Sequence, residues 1–168
     1  MSTPTPEFTI THTSAAPLER VWQAWTDPKL FEQWFGPKGW SCMVKTFDLR
    51  PGGILHSRLT TPDGQDMWAK FIYREVKPPE KLSWEHSFSD KDGSITRHPS
   101  HPVWPLKLIT TIIFEAAGSS TKLTLTWVPF NASTEECACF ESQRQSMTQG
   151  WGGTFEQLDM FLKMQKNT

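Results

Sequence analysis

Hydrophobic and polar residues alternate along the first two thirds of the chain, a pattern typical of half-buried β-strands. The first alternation predicts a strand over Glu7 to Ser14, with Phe8 and Ile10 on one side. Later alternations are separated by turn residues rich in Pro and Gly, which favours antiparallel pairing of neighbouring strands. These strands are predicted over residues 41–48, 53–60, 67–76, 82–88, 106–115 and 122–128.

Helical spacing replaces the alternation in two regions. After the first strand, Pro17 is predicted in the first turn of a helix that Asp27-Pro28 ends, and a second short helix continues to Gly36-Pro37. Residues from Ser133 to about Lys166 predict one long helix, which begins with a capping box between Ser133 and Glu136. Its buried stripe is predicted to contain Phe140, Arg144, Met147, Trp151, Phe155, Leu158 and Leu162.

Three glycines interrupt this long helical pattern at Gly150, Gly152 and Gly153. Each glycine costs roughly 1 kcal/mol relative to alanine in a helix interior. Their clustering therefore indicates a close approach of the helix to the sheet, a bend, or room for a ligand.

Length and charge narrow the possible classes of protein. The 168 residues predict a single domain over 1–168, with a core of about 8–164. A net charge of −1 without a basic stripe argues against nucleic acid as a partner. No membrane insertion is predicted, since no apolar run approaches roughly 18 residues. The odd number of cysteines, two of them at Cys137 and Cys139, predicts reduced thiols and a cytoplasmic location.

The aromatic composition is unusual, with nine Trp and eleven Phe against one Tyr. Such enrichment indicates a bulky core or the wall of an apolar pocket. Strand alternation predicts that Ile54, His56 and Arg58 face water. The side chains predicted to point inward from the sheet are Leu55, Ser57, Leu59, Phe71, Tyr73, Leu82, Trp84, His86, Phe88, Ile112, Phe114, Leu123, Leu125 and Trp127, opposite Arg144, Met147, Trp151 and Phe155.

Six short motifs follow one another between about Phe8 and Leu162. They are Val21-Trp22-Gln23-Ala24-Trp25-Thr26-Asp27-Pro28, Trp34-Phe35-Gly36-Pro37, Asp48-Leu49-Arg50-Pro51-Gly52-Gly53, Pro62-Asp63-Gly64, Glu75-Val76-Lys77-Pro78-Pro79-Glu80-Lys81-Leu82 and Gly150-Trp151. In this order they resemble the START-like, or SRPBCC, superfamily, in the branch named after activators of the heat-shock chaperone ATPase. The resemblance implies an α+β helix-grip fold. In that fold a curved antiparallel sheet of six to seven strands surrounds a long C-terminal helix, and two short helices follow strand 1.

An apolar chamber with few polar groups is expected between the sheet and the C-terminal helix, which is typical of a small-molecule site. The polar groups predicted there are Tyr73, His86, Ser57 and Arg144. His86 is predicted to orient the ligand, with a hydrogen-bonded core histidine as the alternative. The predicted ligand-binding cavity consists of Tyr73, Trp84, His86, Ile112, Phe114, Leu125, Trp127, Arg144, Met147, Trp151 and Phe155.

Three functions are compatible with the sequence. The first is a carrier or sensor that binds a small hydrophobic molecule, such as a lipid, a polyketide or an aromatic metabolite. The second, implied by the resemblance, is a polyketide cyclase or dehydratase in which His86 is the base and Tyr73 or Arg144 stabilises an oxyanion. The third is a co-chaperone that stimulates a heat-shock chaperone ATPase. No catalytic residue and no cofactor is assigned, because the chain lacks a phosphate-binding loop, a nucleophile elbow and a zinc-protease helix.

The segment from Asp90 to Pro105 is predicted to be an irregular loop, longer than is usual in the resembled family. His98 and His101 within it are predicted not to hold a metal, since a stable site needs three or four ligands. The loop is expected to place Trp104 near the cavity mouth, as a lid or as an additional contact. A homodimer is also compatible with the chain, through the exposed edge strand at Phe8 to Ser14 or through the Trp-rich loops.

Overall fold

The computed structural model describes residues 5–166 and shows one antiparallel sheet curved around a C-terminal helix. The strands are β1 (Phe8–Ser14), β2 (Ser41–Phe47), β3 (Ile54–Thr60), β4 (Asp66–Lys77), β5 (Lys81–Ser89), β6 (Ile95–Thr96), β7 (Leu108–Ala117) and β8 (Ser120–Pro129). They pair in the order β1-β8-β7-β5-β4-β3-β2, and the short β6 pairs with β5. The predicted fold class is confirmed; the predicted domain bounds at residues 1 and 168 lie outside the described residues.

The helices are α1 (Leu18–Thr26), α2 (Pro28–Trp34), α3 (Thr134–Ser142) and α4 (Arg144–Lys166). The prediction of Pro17 in the first turn of α1 is wrong by one position, because Pro17 is the N-cap residue, with an extended ψ of 154°. The capping box of Ser133 and Glu136 at the start of α3 is confirmed.

The prediction of one continuous C-terminal helix is wrong, since the helix breaks at Gln143. In an uninterrupted α-helix the Gln143 N–H donates to the carbonyl of Cys139. Here the Ser142 hydroxyl donates to that carbonyl at 2.6 Å. The Gln143 N–H bonds to Phe140 instead, and a serine hydroxyl that bonds a nearby backbone carbonyl in this way often bends a helix.

Aromatic side chains fill the space between the sheet and the two short helices. Trp25 of α1 lies 4.8 Å from Trp34, 6.1 Å from Phe114 and 6.3 Å from Trp84, measured between ring centroids. The indole N–H of Trp34 donates to the Ala24 carbonyl at 3.0 Å. Part of the Trp and Phe enrichment therefore belongs to a bulky core at this end of the molecule.

Polar contacts fix α4 against its neighbours at two points. Asp159 accepts hydrogen bonds from Ser14 and His12 of β1, each at 2.8 Å. Gln157 donates to the carbonyl groups of Trp34, Gly36 and Pro37 at 2.8 to 3.1 Å. The position of α4 is thus tied both to the edge of the sheet and to the turn after α2.

One predicted surface residue is buried. His56 is only 4% exposed. Its Nε2 lies 3.0 Å from both the Ser89 hydroxyl and the Asp90 carbonyl. Its ring lies 4.8 Å from that of Trp68. Burial lowers the pKa of His56. The alternation in β3 did not reveal that the turn after β5 covers this part of the sheet.

Within residues 5–166, no helix is both long enough and apolar enough to cross a membrane.

Candidate functional site

A cavity of about 360 Å³ lies between the sheet and α4. The turn after α2 and the loop between β6 and β7 complete its wall. No Asp, Glu, Lys or Arg is among the described residues that line it. Its apolar lining includes Phe35, Leu59, Met67, Ala69, Phe88, Trp104, Leu108, Trp127, Met147 and Trp151.

The structure brings four of the eleven predicted site residues to this cavity. They are His86, Trp127, Met147 and Trp151. Six others are at most 3% exposed and pack within the core instead; of these, Phe114 contacts Trp22 and Trp25 of α1, and Trp84 contacts Trp25. These six are Tyr73, Trp84, Ile112, Phe114, Leu125 and Phe155. Ligand contact by the four lining residues stays a prediction.

Arg144, the remaining predicted residue, lies outside the cavity. Its side chain is 41% exposed and pairs with the Glu141 carboxylate at 2.6 Å. It also donates to the Glu7 carbonyl at 2.8 Å. The break at Gln143 makes Arg144 the first residue of α4, so the stripe predicted for a continuous helix does not apply to it.

His86 is held by hydrogen bonds from its neighbours on the sheet. The indole N–H of Trp84 donates to the Nδ1 atom of His86 at 3.3 Å, and the Thr110 hydroxyl lies 3.5 Å from the same atom. Trp127 donates its indole N–H to that hydroxyl at 2.7 Å. An indole nitrogen can only donate, so Nδ1 must accept, and we assign the ring proton of the neutral imidazole to Nε2.

Burial lowers the pKa of His86 to about 3. The ring lies 4.5 Å from that of Phe71 and 5.4 Å from that of Trp127. Such surroundings disfavour the imidazolium ion, so His86 is neutral at physiological pH. Its Nε2–H has no hydrogen-bond partner among residues 5–166 and belongs to a side chain that lines the cavity.

The three groups of the cyclase hypothesis are not assembled. Tyr73 is buried in the core at 3% exposure, and Arg144 is not among the described lining residues and donates to the Glu7 carbonyl. A general base works best when its pKa lies near the working pH. The pKa of His86, about 3, lies far below physiological pH.

The loop between β6 and β7 contributes His98, His101, Trp104 and Pro105 to the cavity wall. Trp104 is 7% exposed and packs 5.6 Å from Phe140, which agrees with its predicted place at the cavity. His98 accepts backbone N–H groups of Ser100 and His101 on its Nδ1, and burial lowers its pKa. In the part of the chain that the structure describes, no three His, Cys, Asp or Glu residues are grouped as metal ligands.

The three glycines of α4 have different surroundings. Gly150 lines the cavity, and a Cβ atom there would meet no atom within 4 Å. A Cβ on Gly153 would lie 3.2 Å from the backbone nitrogen of Lys38, so α4 approaches the turn after α2 closely. Nothing in the structure explains Gly152.

Sequence reasoning missed several lining residues. Met67 and Ala69 alternate with the inward-facing Phe71, and Leu108 alternates with Ile112, so the strand period was sufficient to find them. Gln143, between α3 and α4, and Ser146 and Thr154 on α4 carried no such signal. The turn residues Phe35, Gly36 and Pro37 also line the cavity.

Comparisons with known proteins place this fold and cavity in a family. The model of the family "Activator of Hsp90 ATPase homolog 1-like protein" matches residues 15–163. A comparison with curated proteins found no match.

Solved structures with the same fold are numerous. A protein from Mycobacterium smegmatis is 27% identical, with a TM-score of 0.77 and coverage of 94% of this chain and 91% of that one. A protein from Arthrobacter aurescens is 25% identical, with a TM-score of 0.77 and coverage of 94% and 86%. One from Nitrosomonas europaea is 26% identical, with a TM-score of 0.71 and coverage of 96% and 97%. The chain has the START-like helix-grip fold, and it belongs to the family of Activator of Hsp90 ATPase homolog 1-like proteins.

Proposed function

We propose that this protein binds a small, mainly apolar molecule in the cavity between the sheet and α4, as a carrier or a sensor. The observation that carries the proposal is an apolar cavity of about 360 Å³ with a few polar groups and no charged side chain in its described lining. Small-molecule sites commonly have volumes of about 300 to 1,000 Å³ and this kind of lining. A lipid, a polyketide or an aromatic metabolite is the expected ligand.

We also propose that the protein is located in the cytoplasm. Cys42, Cys137 and Cys139 form no disulfide, which suits a reducing compartment such as the cytoplasm.

Native mass spectrometry of freshly purified protein, compared with a denatured sample, tests the binding proposal. We expect a small molecule that travels with the folded chain and is lost on denaturation. A chain that is empty on purification, and that shows no thermal shift with a panel of lipids and aromatic metabolites, would contradict the proposal and turn attention to a protein partner.

A further inference from the structure

The tautomer of His86 is fixed by its neighbours, and it determines which hydrogen-bonding group the side chain can offer to a ligand. Its Nδ1 is occupied by the Trp84 indole at 3.3 Å, with the Thr110 hydroxyl at 3.5 Å. The proton therefore resides on Nε2, which has no partner among the described residues. A neutral N–H donor on a mainly apolar wall is available to a ligand oxygen.

His98, on the loop between β6 and β7, also has its Nδ1 occupied as an acceptor. Its Nδ1 accepts the backbone N–H groups of Ser100 at 2.9 Å and His101 at 3.2 Å. By the same reasoning its proton is on Nε2. The hydroxyl of Thr154 is already used, since it donates to the Gly150 carbonyl at 2.9 Å.

The cavity offers no group that would neutralise an anion by a permanent positive charge. Neither Lys nor Arg is among the described lining residues. A carboxylate in an apolar site without a cationic partner loses hydration that neutral N–H donors restore only in part. Charge and donor pattern together thus favour a neutral ligand with an acceptor.

We propose that the cavity selects an uncharged compound that carries a carbonyl oxygen, with His86 as the specificity-determining residue that donates its Nε2–H to that oxygen. This inference rests on the proposed function, because it names the class of ligand for the same cavity. It distinguishes a neutral ketone, aldehyde, ester or amide from a fatty acid and from a plain hydrocarbon.

Three naphthalene probes of similar shape test the inference. Acetylnaphthalene has a carbonyl group, ethylnaphthalene has no acceptor, and naphthoic acid is an anion at neutral pH. We expect titration followed by tryptophan fluorescence to give acetylnaphthalene an affinity roughly fivefold above that of ethylnaphthalene, as one net hydrogen bond provides. Naphthoate should bind at least about tenfold more weakly than the ketone, because its charge is unpaired in the cavity.

The variant His86→Phe keeps an aromatic ring and removes the donor. It should lower the affinity for acetylnaphthalene to that of ethylnaphthalene, while the affinity for ethylnaphthalene changes little. The infrared carbonyl stretch of bound acetylnaphthalene provides a second readout that needs no variant. We expect a shift to lower frequency in the wild-type complex relative to the same ketone in a hydrocarbon solvent.

The possible outcomes separate the two proposals. Equal binding of the ketone and the hydrocarbon, or tightest binding of naphthoate, would overturn the inference and leave apolar binding intact. A carbonyl stretch that matches the hydrocarbon solvent would overturn it as well. If none of the three probes binds, the inference fails, whereas the proposed function is decided separately by native mass spectrometry and the thermal-shift panel.

Discussion

His86 is neutral because its neighbours make the charged form costly. Burial lowers its pKa to about 3 from an ordinary value of 6.5. Trp84 and Thr110 occupy the nitrogen that a proton would need. The same contacts that fix the ring orientation therefore also fix its protonation state and its tautomer.

This pKa predicts how the stability of the protein depends on pH. Between pH 6.5 and about 3 the unfolded chain binds a proton at His86 that the folded chain does not. The free energy of unfolding should therefore fall as the pH falls through this window. In His86→Phe this contribution is absent, so the wild type should lose stability relative to the variant by an amount on the order of a few kcal/mol.

Urea unfolding of both proteins at several pH values measures the difference. Comparing the two proteins cancels the titration of carboxylates that they share. Parallel stability curves for the wild type and His86→Phe would show that His86 is readily protonated in the folded state.

Gly150 is a position at which a longer side chain would block the cavity. A Cβ there meets open space, so the longer side chain of Gly150→Leu would enter the cavity without a backbone clash. We expect ligand affinity to fall at least about tenfold, since the side chain displaces apolar contacts of the ligand. Replacing a helix glycine should also raise stability by up to about 1 kcal/mol.

Gly152→Leu is the matched control, because a Cβ on Gly152 would also meet no atom within 4 Å, and Gly152 is not among the described lining residues. Ligand occupancy by native mass spectrometry and thermal unfolding should be measured for both variants. We expect a similar stability gain in both and a loss of ligand in Gly150→Leu alone. Equal retention of ligand would show that the ligand lies elsewhere.

At single residues, the sequence predicts the direction of a side chain better than its function. Alternation placed His86 and Trp127 on the inner face, which the structure confirms. It did not separate them from Tyr73, which faces the same side but is covered by the core. Which inward residues line empty space depends on how far α1 fills the grip, and that depends on contacts between distant segments.

At the scale of elements, the loop between β6 and β7 covers part of the cavity and contacts α3. Arg97 donates to the Glu136 carboxylate of α3 at 2.5 Å and to the Trp104 carbonyl at 3.3 Å. Trp104 in turn packs on Phe140. The loop is thus tied to α3 close to the tryptophan that it places in the cavity wall.

Removal of this ion pair should increase the rate of ligand exchange. In Arg97→Gln the loop loses its charged tie, and we expect dissociation to become a few-fold faster. Stability should change by less than about 1 kcal/mol, because the guanidinium side of the pair is exposed to solvent. Stopped-flow displacement of a bound fluorescent ligand measures the rate.

Arg50→Gln provides the control, since Arg50 forms a comparable exposed pair with Asp48 and is not among the described residues that line the cavity. It should leave ligand exchange unchanged. If both variants exchange ligand at the wild-type rate, the loop does not limit access to the cavity.

The order of strands and helices was largely predictable, because strand alternation and turn residues are local properties. The break between α3 and α4 was not, since the apolar spacing continues across it. At the break the Ser142 hydroxyl donates to the Cys139 carbonyl, and the Gln143 N–H bonds to Phe140. Arg144 was misplaced because of this break, which the apolar period of the sequence does not show.

At the scale of the whole molecule, the cavity is bordered by both the sheet and α4. Its wall includes residues of β3, β4, β5, β7, β8 and α4, so a ligand contacts both layers of the grip. Trp127 and Trp151, whose rings lie 5.4 Å apart, join the sheet to the helix at the cavity. Opening either layer would release the ligand, so binding should be coupled to global unfolding.

This coupling predicts that ligand binding raises the Tm of the whole domain and does not stabilise the cavity loop alone. A ligand that binds only the folded state, at a free concentration of about 100 times its Kd, stabilises it by about 2.7 kcal/mol. For a domain of this size that corresponds to a rise in Tm of roughly 5 to 10 °C. Differential scanning calorimetry should show one transition that moves as a whole. A shift seen in tryptophan fluorescence but absent from far-ultraviolet circular dichroism would mean that the ligand orders the cavity loop alone. At the same ligand concentration a tenfold loss of affinity leaves about 1.4 kcal/mol of stabilisation, so the ligand should raise the Tm of Gly150→Leu by at most about half as much.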